Sequence, residues 1–179
     1  TIQMYRKDRL NYLNEIINIG KTEMFLVGLK IVRGAYHEQE IERSKRNGYK
    51  CPVHQIKKDT DNDFNKALKI CVKNSTNVSI CAGTHNEESS LLLTKLMTEG
   101  GFKKESEKFF FSQLLGMSDH ISYNLSKDGY NVAKYVPYGP VKDVIPYLIR
   151  RAEENTSIAG QMGRELTNIS KEKIRRKTT

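Results

Sequence analysis

The chain has 179 residues, 37% of them apolar and 28% charged, and carries a net charge of +9. That length supports one domain with a sizeable core, and no stretch of about 18 apolar residues is present to cross a bilayer as a helix. The positive charge invites a nucleic-acid reading, yet much of the excess is terminal: Lys171, Lys173, Arg175, Arg176 and Lys177 face one acid, Glu172, in the last ten residues.

No nucleic-acid motif accompanies the basic end. It reads as a solvated terminus, or as a segment that touches an anionic membrane surface. No secretory signal is visible, and a chain that begins at Thr1 reads as a fragment or a processed product. Cys51, Cys71 and Cys81 form an odd set without paired spacing, which fits a reducing compartment. Cys51-Pro52-Val53-His54 is half of a metal-site pattern with no second half, so no metal is expected.

In chain order, residues 2–5 form a short strand candidate with Gln3 inside it. Residues 8–19 place Leu10, Leu13, Ile16 and Ile17 at helical spacing, and Gly20 is expected to end that helix. Residues 24–32 are almost continuously apolar, which predicts a parallel-sheet strand covered on both faces. Lys30 interrupts the run and must reach a ligand or partner, because a buried unpaired ammonium is very costly. A small-residue turn, Arg33-Gly34-Ala35-Tyr36, follows. Helices are predicted over 39–47, closed by Gly48, and over 59–72, capped by Asp59 or Thr60.

Residues 78–82 read as the next strand. Asn86 is a good N-cap for a helix over 87–98, so Thr84 and His85 fall in a strand-to-helix loop beside backbone N–H groups, a natural anion or cofactor site. A fourth strand over 109–114 turns at Gly116, and a short helix over 118–127 stops at Gly129. The β-branched and aromatic run 132–136 is a fifth strand, broken by Pro137-Tyr138-Gly139-Pro140. A helix then opens with Val141, Val144, Ile145 and Leu148 on one face and Arg150-Arg151 further along. Residues 157–177 read as a polar helix or tail.

Strands alternating with helices argue a parallel sheet. The early turns lack a Gly-x-Gly-x-x-Gly motif, which argues against a dinucleotide-binding doubly wound sheet. Polar residues gather at strand C-terminal ends, as in a (β/α)8 barrel, though five units are too few to close one. The two arginines read two ways. They form a carboxylate clamp through paired hydrogen bonds, or a solvated pair matched by Glu153 and Glu154, which composition alone favours.

Lys30-Ile31-Val32-Arg33-Gly34-Ala35-Tyr36, Thr84-His85-Asn86, the run from Gln113 to Asp119, the run from Tyr135 to Gly139, and Tyr147-Leu148-Ile149-Arg150-Arg151 with Glu154-Asn155 resemble, in order and spacing, the proline dehydrogenases. The resemblance runs from Gln3 to about Asn155 and is nearer the monofunctional mitochondrial and related bacterial enzymes than the bifunctional proline-utilisation type. It implies an α/β fold of the (β/α)8 TIM-barrel type, incomplete here at about strands four to eight, in one domain with the barrel over 1–156 and a basic tail over 157–179. It also implies FAD at the strand C-terminal rim, and oxidation of L-proline to 1-pyrroline-5-carboxylate with electrons passed to a quinone. The location would be the bacterial cytoplasm or membrane periphery, or the mitochondrial inner membrane or matrix, with peripheral membrane association left open and no nucleic-acid partner.

By the same resemblance, Arg150 and Arg151 clamp the substrate carboxylate, and Tyr36, Leu114, Tyr135 and Tyr147 surround its ring. Lys30 faces the reactive edge of the flavin. Gln3, Gly34, Ala35, Thr84, His85, Asn86, Gln113 and Glu154 hold the cofactor. In the family, three further strands precede the one holding Gln3 and supply an active-site lysine and aspartate. A chain without them would expose two sheet edges and tend to self-pair. The alternatives are a basic nucleic-acid-binding module and a catalytically silent barrel fragment. If the clamp reading holds, Arg151→Lys in the complete enzyme loses the two-pronged grip. It is expected to raise KM for the amino acid substrate by roughly tenfold or more, measured by steady-state kinetics.

Overall fold

The computed structural model describes residues 1–156, 167, 169–171 and 173–176, with side chains described up to residue 149 and at the last eight positions. The chain divides into two compact units, Thr1–Val136 and Pro137–Thr179. The first holds β1 (Ile2–Gln3), α1 (Arg9–Thr22), β2 (Val27–Val32), α2 (His37–Asn47), α3 (Lys57–Lys73), β3 (Val78–Gly83), α4 (Glu87–Glu99), β4 (Phe109–Leu114), α5 (Asp119–Lys127) and β5 (Val132–Tyr135). The second begins with α6 (Val141–Thr156), as the spacing of its apolar residues predicts. Pro146 lies inside α6 and cannot donate the backbone hydrogen bond an ordinary residue would make there. In the expected basic tail, Thr167, 169–171 and 173–176 are helical, and the remaining positions lie outside the described residues.

All strand pairs are parallel, and their order across the sheet is the order along the chain, β1-β2-β3-β4-β5. Each pair therefore needs a crossover, and crossovers of this kind are almost always right-handed. With no reversal of strand order, every crossover returns on the same side of the sheet. The packing agrees: α1 lies on β1, β2 and α3, α3 on β2, β3 and α4, and α5 on β4 and β5. This is the singly wound βα repeat of the (β/α)8 barrel class, present as five strands among the described residues.

The register divides the sheet into two unlike faces. Ile2, Ile31, Ala82, Phe111 and Val132 form one row across it, and all but the last are buried. This row meets the helices and joins Leu13, Ile17, Phe64, Leu68 and Leu93 in the core. The next row, Gln3, Val32, Gly83, Ser112 and Ala133, looks the other way, as do Lys30, Cys81 and Phe110. Phe111 is fully buried while its neighbour Phe110 is 38% exposed. The apolar run 24–32 had implied a strand covered on both faces. Instead burial is uneven along β2, and Gly28 on the opposite face is exposed.

Three local expectations change. Gly20 does not end α1; it lies inside it, where a Cβ would come within 2.6 Å of Val27 Cγ2, so it permits close helix–strand packing. Met24, Phe25 and Leu26 precede β2 rather than belonging to it, and all three are exposed. The N-cap of α3 is Ile56, whose side chain offers no capping oxygen, rather than Asp59 or Thr60. Asn86 caps α4 as expected, its Oδ1 accepting from Ser89 N at 2.8 Å. Burial pushes the Cys71 thiol up to about 12, which keeps it protonated and inert within the core. Among the described residues no helix is long and apolar enough to span a membrane.

The two faces give a contrast that calorimetry or urea denaturation can read. Phe111→Ala removes a fully buried ring and is expected to cost about 3–5 kcal/mol. Phe110→Ala, one residue away on the opposite face, is expected to cost less than about 1.5 kcal/mol.

Candidate functional site

Lys30 leaves β2 on the face away from the helices, in register with Cys81. Its stem leans toward the C-terminal end of the sheet. A Cβ added to Gly83, two residues beyond Cys81, would lie 3.0 Å from Lys30 Cε. The ammonium ends 5.5 Å from the centroid of the Tyr135 ring, a cation–π distance that bridges β2 and β5 over the two strands between. Lys30 is the one charged side chain among the described strand residues of this face. Gln3 stands on the same face of the neighbouring strand, and Leu114 pairs in register with Tyr135. The structure thus gathers Gln3, Lys30, Leu114 and Tyr135 on one surface.

At the ends of β2 and β3 the connections are held by Arg33. Its Nε donates to Asp61 Oδ1 at 2.5 Å, Nη1 to Thr84 Oγ1 at 2.6 Å and Nη2 to Ser89 Oγ at 2.9 Å. Its Cζ lies over the Phe64 ring, 4.3 Å from the centroid. Ser89 Oγ donates onward to Asn65, and Asn86 N donates to Thr84 Oγ1. In the sequence Arg33 reads only as part of a turn and of the Lys30–Tyr36 motif, Phe64 reads only as an apolar helix position, and nothing marks Asp61 or Ser89. Their partnership joins positions up to 56 residues apart, and no local spacing reveals it.

The other expected positions fall around this centre. Thr84 is buried, and its carbonyl accepts from Gln113 Nε2 at 3.2 Å. Gln113 lies on the helix-covered side at 2% exposure and its Oε1 accepts from Ser122 Oγ, so its amide supports the Thr84–Asn86 loop from behind. The ring of His85 hydrogen-bonds Ser118 Oγ at 3.0 Å, which ties this loop to the one after β4. Gly34 has φ +124°, and a Cβ there would run into the Tyr5 ring, so Gly34 and Ala35 turn the chain tightly beside β1. Tyr36 is the N-cap residue of α2. Tyr147 lies in α6 of the second unit. The side chains of Arg150, Arg151 and Glu154 lie outside the described residues.

The Cys-Pro-Val-His segment has structural partners. His54 Nε2 pairs with Asp63 Oδ2 at 2.8 Å, and the Cys51 thiol donates to the Val53 carbonyl. Among the described residues no group of three or more His, Cys, Asp or Glu side chains is gathered as for a metal.

Comparison with known proteins adds to this geometry. The sequence pattern of the family described as Proline dehydrogenase matches residues 1–164. Proline dehydrogenase 2, mitochondrial, of Arabidopsis thaliana is 39% identical over 93% of this chain and 36% of its own length. Hydroxyproline dehydrogenase of Xenopus laevis is 37% identical over 98% of this chain and 39% of its own length. The chain therefore spans somewhat over a third of the length of these relatives. A crystal structure of proline utilization A from Bdellovibrio bacteriovorus, inactivated by N-propargylglycine, superposes with a TM-score of 0.82 at 24% identity, covering 87% of this chain and 16% of that one. That likeness carries the fold.

Gly34→Ala is expected to destabilise the fold by about 2–4 kcal/mol, combining a left-handed backbone conformation with overpacking against Tyr5. Thermal unfolding with near-ultraviolet dichroism of the tyrosines measures it.

Proposed function

Because the chain belongs to the proline dehydrogenase family, whose pattern covers residues 1–164, we propose that the full-length protein catabolises L-proline by oxidising it to 1-pyrroline-5-carboxylate with FAD. Electrons then pass to a quinone at a bacterial or mitochondrial membrane. The observation that carries the reading is the placement of Lys30, a cation leaning toward the C-terminal rim on a face otherwise made of uncharged residues.

The residues present fit a flavin. Toward the C-terminal ends of the strands, Cys81, Gly83, Ser112 and Ala133 are small residues on the face that carries Lys30. Adding a Cβ at Gly83 would fill the space that Lys30 Cε and Val32 Cγ1 occupy, so the floor is closed by the lysine's own stem. Bound FAD would supply the two-electron acceptor. Proline oxidation breaks a C–H bond beside the ring nitrogen. The hydrogen leaves with the electron pair, the nitrogen lone pair closes a C=N bond, and the N–H proton departs. Lys30 would hold its ammonium where an acceptor taking that electron pair gains negative charge, stabilising it without reorganisation.

The family resemblance assigns Arg150 and Arg151 to the substrate carboxylate, converting binding into orientation, with Tyr36, Leu114, Tyr135 and Tyr147 against the ring. It assigns Gln3, Gly34, Ala35, Thr84, His85, Asn86, Gln113 and Glu154 to the cofactor, Gln113 acting through the Thr84 carbonyl it supports rather than by direct contact. The Xenopus relative named for hydroxyproline makes the ring hydroxyl the open specificity question.

The test uses the purified full-length protein. It is expected to show flavin absorbance, bleached anaerobically by L-proline. Lys30→Met should retain flavin but reduce bleaching by about 10²-fold. A flavin-loaded protein that neither proline nor hydroxyproline bleaches would refute the reading.

A further inference from the structure

We propose that Asp61 is a positioning residue for the cofactor site, acting through Arg33 to hold the Thr84–Asn86 loop in place. The inference deepens the FAD reading and rests on it. Helix α3 presents Arg33 with a two-sided seat. Asp61 meets the Nε edge of the guanidinium at 2.5 Å, and the guanidinium Cζ lies over the ring of Phe64, one turn later, 4.3 Å from its centroid. A planar fork held on one edge and one face has little freedom left.

Its other edge is thereby aimed at the connection after β3, where Nη1 reaches Thr84 and Nη2 reaches Ser89. Thr84 Oγ1 in turn accepts from Asn86 N at 3.1 Å, and Asn86 caps the helix at Ser89 N. The pair is only 21% and 29% exposed, so removing the carboxylate leaves a largely desolvated cation without its counter-charge. The guanidinium would then turn toward water, and the loop would lose one charge-assisted donor at Thr84 and the first turn of α4 another at Ser89. Arg33 also directly precedes Gly34, so one carboxylate on α3 sets the ends of β2 and β3 together.

The experiment compares Asp61→Asn, Asp61→Glu, Arg33→Gln and Asp61→Asn with Arg33→Gln in the full-length protein. Two readouts are taken on the cofactor-free form: its dissociation constant for FAD, and amide hydrogen exchange at Thr84 and Asn86 relative to β4. Asp61→Asn is expected to weaken FAD binding by about tenfold or more and to accelerate exchange at Asn86, and Asp61→Glu should recover most of both. In the Arg33→Gln background, Asp61→Asn should add less than about twofold, because the two act as one unit. Should Asp61→Asn fail to fold, Ser89→Ala severs one Arg33 contact, together with the Ser89–Asn65 hydrogen bond, while leaving Asp61 in place. It should accelerate the same exchange, and only while Arg33 is present. Unchanged exchange and FAD affinity within about twofold of the native protein, or equal losses with and without Arg33, would overturn the proposal. If the native protein binds no FAD, the cofactor reading fails, and hydrogen exchange still decides the role of Asp61.

Discussion

A parallel strand is reached only by a crossover, and crossovers share one hand. With β1 to β5 laid down in sequence order, that constraint sends α1, α3, α4 and α5 to one side of the sheet. Everything else about the first unit follows from it. One face becomes the core, where Ile31, Ala82 and Phe111 meet helix side chains. The other mixes small residues with Val32, Phe110, Leu114 and Tyr135, and it is there that Lys30 can be carried without meeting the core.

The two faces do separate work. The helix-covered face supplies stability through dense apolar packing and also houses supporting polar groups such as Gln113 and Ser122, which satisfy each other and the Thr84 carbonyl. The opposite face holds the candidate chemistry. At the strand ends, Arg33 links them: its stem belongs to the end of β2, its counter-ion to α3 and its donors to the start of α4. Charge on that arginine is tolerable because a carboxylate, two hydroxyls and a ring share it.

Relatives named for proline and for hydroxyproline match almost the whole chain. In the proposed function, the tyrosine and paired arginines of α6 are assigned to the carboxylate and the first unit to the electron acceptor. The proposed chemistry divides between a cation that stabilises developing charge and cations that orient the substrate.

Much was readable from the chain alone, because hydrophobic period and punctuation report local physics directly. The strand 109–114, the Asn86 cap, the αL Gly48 and the opening of α6 at Val141 all follow from short-range rules. Lys30 stood out because a lysine in an apolar strand demands a reason. What the chain could not reveal is which neighbour each residue meets. Gly20 looked like a stop and is a packing contact with Val27. Met24 to Leu26 looked like strand and lie outside it, since apolar composition does not say where pairing begins. Arg33 found Asp61, Thr84 and Ser89 only after the sheet had assembled, because hydrogen bonds across tens of residues depend on the register of β2 against β3 rather than on any local pattern.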